Sequence, residues 1–117
     1  MNRREVGGRF EGQAAAFLQA AGLEIQEANY RCRLGEIDLV AREGATWVFV
    51  EVKYRKTPAL GAPEEAVNGA KQLRIRRVAQ MYLASHGLPE ATDCRFDVVA
   101  IDGEGNIRHY RNAFGGI

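Results

Sequence analysis

Two strand-like runs stand on either side of a short break: GEIDLVARE at residues 35–43 and TWVFVEVKYR at residues 46–55, with Gly44 and Ala45 between them. Apolar, β-branched runs joined by so short a turn fold most simply as an antiparallel hairpin. The second run nevertheless carries Glu51 and Lys53 two residues apart, and so on one face. Burying an ionised side chain costs several kcal/mol unless it is paired, hydrogen-bonded or bound to a metal.

Taking Gly44 and Ala45 as the turn sets Glu43 opposite Thr46, Asp38 opposite Glu51 and Glu36 opposite Lys53. Alternation then sends Glu36, Asp38, Glu51 and Lys53 to one face, and Ile37, Leu39, Val48, Val50 and Val52 to the other. A one-residue slip would undo the arrangement. Facing carboxylates repel unless a cation lies between them. Mg²⁺ answers that need, because it takes one or two protein carboxylates and completes its shell with water and phosphate oxygens. A protonated lysine beside it is no ligand, but it can stabilise charge developing at phosphorus or hold an attacking water. Phosphodiester hydrolysis is therefore one reading. The structural alternative pairs Asp38 diagonally with Lys53 and leaves Glu36 and Glu51 exposed at the strand ends; the spacing alone does not choose between them.

The remaining pattern surrounds this hairpin with helices and further strands. Phe10, Ala14, Phe17, Leu18 and Ala21 form an amphipathic stripe, which predicts a first helix over about residues 4–21, ended by Gly22. LEIQEANYR alternates as a strand. TPALGAP reads as a loop, and a second helix is expected from Glu64 to about His86, with Ile75, Val78, Ala79, Tyr82 and Leu83 inward. RFDVVAID and IRHYRNA are two more strands joined across GEGN. The order α-β-β-β-α-β-β implies an α/β domain, a mixed sheet flanked by helices.

Length allows one core, so residues 1–117 are expected to form a single domain. No apolar run is long enough to span a bilayer, and MNRREVGGRFEGQ lacks the apolar segment of a secretory signal, which together point to the cytoplasm and to no membrane partner. Cys32 and Cys94 lack metal-ligand spacing and are expected as free thiols. With 16 Lys+Arg against 15 Asp+Glu, any basic surface must come from local clustering rather than from net charge.

The segments GRFEGQAAAFLQAAG, NYRCRLGEIDLVA, FVEVKYR, RFDVVAI and NAF, in that order, resemble the small bacterial YraN family. GEIDLVARE followed by WVFVEVKYR resembles the signature of the PD-(D/E)XK nuclease superfamily, and the YraN family is similar in turn to archaeal Holliday-junction resolvases. The resemblance implies a restriction-endonuclease-like three-layer domain. It matches Asp38 to the first motif acid, Glu51 to the variable acid, Lys53 to the lysine and Glu11 to a helical glutamate at the metal site. Ile37 stands where the motif has proline. The implied cofactor is Mg²⁺, with Mn²⁺ as a substitute, held by Asp38, Glu51 and Glu11. From spacing alone Glu11 lies on the shoulder of the buried stripe, or serves as a helix-dipole glutamate. Glu36 is expected to pair with Lys53 or Arg55.

In the second helix Lys71, Arg74 and Arg77 fall one turn apart and form a basic stripe that could hold phosphates, or a solvated face. Arg55 lies at the end of the third strand, and with Arg31, Arg33 and Lys56 it flanks the acidic patch. Tyr30, Tyr54 and Trp47 are expected to pack on the sheet rather than stack on bases, and His86 and His109 have no ligand partner by spacing. The expectation is a Mg²⁺-dependent endonuclease acting on DNA, branched or junction DNA included, for which a junction cutter would need a homodimer. The alternative is a catalytically inactive DNA- or RNA-binding module with the same fold.

Overall fold

The computed structural model describes residues 3–55 and 69–114, with side chains from residue 9. The expected TPALGAP loop, the start of the second helix at Glu64, and Lys56 lie outside the described residues. The described elements are α1 (Arg3–Ala20), β1 (Glu24–Cys32), β2 (Gly35–Glu43), β3 (Thr46–Arg55), α2 (Gly69–Ser85), β4 (Cys94–Asp102) and β5 (Ile107–Tyr110). The strands form one sheet in the order β1-β2-β3-β4-β5. β3 and β4 are parallel and every other neighbouring pair is antiparallel, so the sheet is mixed and α2 lies on the crossover from β3 to β4.

Alternation along β3 divides the core in two. Val48 and Val50 pack with Ala14 and Leu18 of α1, whereas Phe49 packs with Ile75, Val78, Ala79 and Tyr82 of α2. The sheet is therefore covered by α1 on one face and α2 on the other. Both helices close with matching caps: Leu23 N–H donates to Leu18 O and Gly22 N–H to Gln19 O, as Leu88 N–H does to Leu83 O and Gly87 N–H to Ala84 O. Phe17, expected in the buried stripe of α1, is instead 36% exposed, and the buried face is made by Ala14 and Leu18. Its ring meets His109 edge-on at 6.4 Å.

The hairpin register holds as the turn implies, from Glu43↔Thr46 to Leu39↔Val50. Ile37 departs from expectation. It belongs to the core cluster of α2, with Phe49, and not with Leu39, Val48 and Val50. The alternation breaks at Asp38, where Val52 N–H donates to Asp38 Oδ2 at 2.8 Å and the carboxylate takes the role of a main-chain acceptor. On the far side of β2, Asn29 has φ +56°, a left-handed residue that turns β1 at the same level. β5 ends at Tyr110, short of the expected Ala113, because Asn112 N–H is given to Asp97 Oδ1 at 2.8 Å instead of a strand partner.

Candidate functional site

At the level of Asp38 the sequence brings together groups that ordinarily avoid one another. β3 carries Glu51 into the body of the sheet, where 6% of it remains exposed; the structural alternative, which required an exposed Glu51, is thereby overturned. Burial first, and then the Asp38 charge, push the Glu51 carboxyl up to about 7. Asp38 is raised as well, by burial above all, against the lowering effect of the Val52 N–H. Lys53 lies close enough to both carboxylates to be raised by them, yet burial and the neighbouring Lys71 outweigh that and lower it.

Lys71 is the member whose place was not expected. Its Nζ lies 3.6 Å from Glu51 Oε2, a contact that neither a phosphate-binding stripe nor a solvated face anticipates. Two carboxylates and two ammonium groups thus share one pocket of charge between β2, β3 and α2. No sequence spacing links positions 51 and 71; the parallel crossover sets the start of α2 beside β3.

Glu11 approaches from α1. It is half-buried, its Oε2 is buried with no hydrogen-bond partner among the described residues, and its pKa is raised by burial, against a hydrogen bond from the Asn29 side chain. After these, the Asp38 charge raises it further, so Glu11 faces the same corner of the fold. Asn29, which has a positive φ, was missed in the sequence. Glu36 does not pair with Lys53 or Arg55. It bonds Arg31 Nε at 2.9 Å across the β1–β2 ladder, where the two residues are direct partners.

Among the described residues no three carboxylate, histidine or cysteine side chains gather into a metal cage. Glu11, Asp38 and Glu51 therefore do not form a complete ligand set by themselves. Two converging carboxylates do meet what Mg²⁺ asks of a protein, and the Glu11 oxygen, without a partner among the described residues, could accept from a water near it. The donor set is hard, anionic and under mutual repulsion, which fits a divalent cation.

Of the expected basic residues, Arg55, Arg74 and Arg77 are exposed. Tyr30 and Trp47 pack against Tyr82, and Tyr54 stacks on Phe10 at 4.3 Å. A second polar cluster, missed in the sequence, lies on the α1 face of β4, where Asp97 is in register with Val50 of β3. Asp97 is fully buried and accepts from His109 Nε2 at 2.7 Å, from Arg95 Nε at 3.1 Å and from Asn112 N–H. Arg95 also donates to Glu43, which Arg111 clasps from outside. Its signal was present: an aspartate inside the apolar run RFDVVAID raises the same question as Glu51. Every acceptor here is used, so the cluster is structural.

The fold and the acidic corner define a small α/β protein in which a half-buried and a buried carboxylate, Asp38 and Glu51, meet at the end of a β-hairpin ladder. The chain belongs to the family described as "Uncharacterised protein family UPF0102", matched over residues 10–101, in keeping with the YraN resemblance. Among its relatives, the UPF0102 protein of Lachnoclostridium phytofermentans is 52% identical over 97% of this chain and 96% of its own length. That of Moorella thermoacetica is 52% identical over 86% of this chain and 83% of its own, and that of Serratia proteamaculans 43% identical over 97% of each.

Proposed function

We propose that this protein is a nucleic-acid-binding phosphodiester hydrolase of the restriction-endonuclease-like class, working with Mg²⁺, or Mn²⁺ in its place, on DNA. The observation that carries the reading is the pairing of half-buried Asp38 with buried Glu51, the latter raised to about 7 beside two lysines. A fold that needed these groups only for stability would pair each acid with one cation and stop there. Instead, Asp38 is placed where its charge, after burial, raises Glu51.

Asp38 and Glu51 would hold the ion, with Glu11 supporting it directly or through water. When bound, a divalent cation supplies charge neutralisation at the phosphate and a more acidic water. The chain's own residues do the rest. The Val52 N–H fixes one Asp38 oxygen. Lys53 orients the water for in-line attack, and Lys71 stands beside it as a second positive group for charge that builds on phosphorus. Arg55, Arg74 and Arg77 offer contacts to the sugar-phosphate backbone.

The test is a cleavage assay over linear, flapped, nicked and four-way DNA and matching RNA, with Mg²⁺ and with Mn²⁺. Cleavage lost in Asp38→Asn and in Glu51→Gln supports the assignment. Metal-dependent cleavage that survives both substitutions defeats it. Salt-sensitive binding without turnover on any substrate favours the inactive binding module.

A further inference from the structure

The turn between β1 and β2 carries its central residues out from the sheet. Cys32 pairs with Gly35, which leaves Arg33 and Leu34 at the tip. Such positions usually hold glycine, asparagine, aspartate or serine. Here a leucine stands there with 37% of its surface exposed. The root of the turn is rigidly seated. Gly35 has φ +146°, and a Cβ built on it would meet Arg74 Cδ at 3.3 Å and Val78 Cγ2 at 3.4 Å, so the hairpin lies directly on α2. Tyr30 and Cys32 pack into the core below, while Leu34 does not.

A row of cations runs from the carboxylates to this tip. Lys71 reaches Glu51, Arg74 lies one helical turn further on against Gly35, and Arg77 follows one turn later. Arg33 sits on the tip itself, and Leu73, beside Arg74, is 50% exposed. The acidic neighbour Glu36 is matched by Arg31 at 2.9 Å. Phosphates follow such a row. An apolar side chain flanked by arginines is also how proteins pry open a base step.

We propose that the β1–β2 tip is a wedge: Leu34 enters a base step while Arg33 and Arg74 hold the flanking phosphates, which selects nucleic acid with an unpaired, nicked or mismatched step over intact duplex. This rests on the nucleic-acid half of the function proposed above. Leu34 and Asp38 stand about 13 Å apart along β2 at roughly 3.3 Å per residue. That span is about four steps of duplex at roughly 3.4 Å each, so the opened step lies about four nucleotides from the bond presented to Asp38 and Glu51.

The test uses the full chain without divalent metal, so that binding is read apart from cleavage, and duplexes carrying 2-aminopurine at an intact or a mismatched step. Wild type should raise 2-aminopurine emission and prefer the mismatched duplex by about tenfold or more, the order set by the cost of unstacking. Leu34→Ala should bring the preference close to unity and remove the emission rise at an unchanged melting temperature. Leu34→Met, still long and apolar, should keep both. Preference and emission unchanged in Leu34→Ala overturn the wedge, whether or not the protein cuts. Absence of salt-sensitive binding by wild type overturns it together with the nucleic-acid reading. The emission rise and preference in a protein that cleaves nothing support the wedge and count against the hydrolase alone.

Discussion

The Val52 amide donates to Asp38 Oδ2 at 2.8 Å, where an extension of the hairpin register would give it to the Ile37 carbonyl. One side chain therefore ends the β2–β3 ladder and is itself held in place. The catalytic candidate and the local backbone are the same piece of structure.

Asp38→Ala should leave the Val52 N–H without an acceptor and destabilise the fold by about 1–3 kcal/mol, while Asp38→Asn, which keeps a carbonyl oxygen there, should cost less. Denaturant melts of the two variants check this. Equal stability of both would show that the Asp38–Val52 bond does not matter to the fold.

Glu51 makes a pH prediction. Its folded pKa of about 7 exceeds its ordinary 4.5, so the folded state binds the proton more tightly than the unfolded chain. The resulting stabilisation is complete below about pH 4.5 and is lost as pH rises through about 7. Over that window wild type should lose on the order of 2–3 kcal/mol from this group in the absence of metal. In Glu51→Gln the slope should flatten, and above pH 7 the variant should be as stable as wild type or more so. Urea melts between pH 5 and pH 8 measure both curves.

The Asp97 cluster acts in the opposite sense. Burial opposes ionisation of Asp97, but bonds from His109, Arg95 and the Asn112 amide outweigh it and hold its pKa below 3.8. Its contribution is present above that value and is lost as pH falls through the lowered one. Asp97→Ala would leave Arg95, whose side chain is 15% exposed, with Glu43 alone and the Asn112 amide without its acceptor, and should cost about 3–5 kcal/mol. Nucleic-acid binding per folded molecule should not change. A stable Asp97→Ala protein with altered binding would mean that this cluster is functional after all.

The two lysines and the outer arginines should separate in their effects. Lys71→Met should lower cleavage far more than binding, because Lys71 lies against Glu51. Arg77→Ala, on the exposed face, should weaken binding of all sequences and reduce the slope of log affinity against log salt by about one. Single-turnover rates and a salt titration distinguish the two. Equal losses of binding in both variants would return Lys71 to the phosphate-binding stripe.

The hairpin, its register and the Asp38–Glu51 juxtaposition were legible because a two-residue turn leaves no slack and a one-residue slip would bury the wrong face. The inward turn of Ile37 was not, since it follows from Asp38 capturing an amide, a choice with no trace in the apolar pattern. Lys71 was legible as a cation on a helix but not as a neighbour of Glu51, which depends on where the crossover delivers α2. Glu36 was misassigned because the β2–β3 partner was counted and the β1 partner, Arg31, was not. Asp97 could have been found by the argument applied to Glu51: a carboxylate in a buried strand must be answered by something, and there the answer is His109, Arg95 and an amide.

Mg²⁺ should join these observations in one measurement. An ion that binds the native pair and not the unfolded chain stabilises the fold, by about 2.7 kcal/mol at a hundredfold excess over its dissociation constant. Wild type should therefore melt at a higher temperature with millimolar Mg²⁺ than with chelator, and more so near pH 8, where Glu51 is ionised, than near pH 5. Glu51→Gln should lose the shift while keeping its metal-free stability, because removing one of two repelling charges offsets the loss of the Lys71 pair, and Lys71, 37% exposed, can be solvated without it. If Glu51 served only as the partner of Lys71, the substitution would lower metal-free stability and Mg²⁺ would move neither protein. That pair of results would remove the metal from this site, and with it the hydrolase.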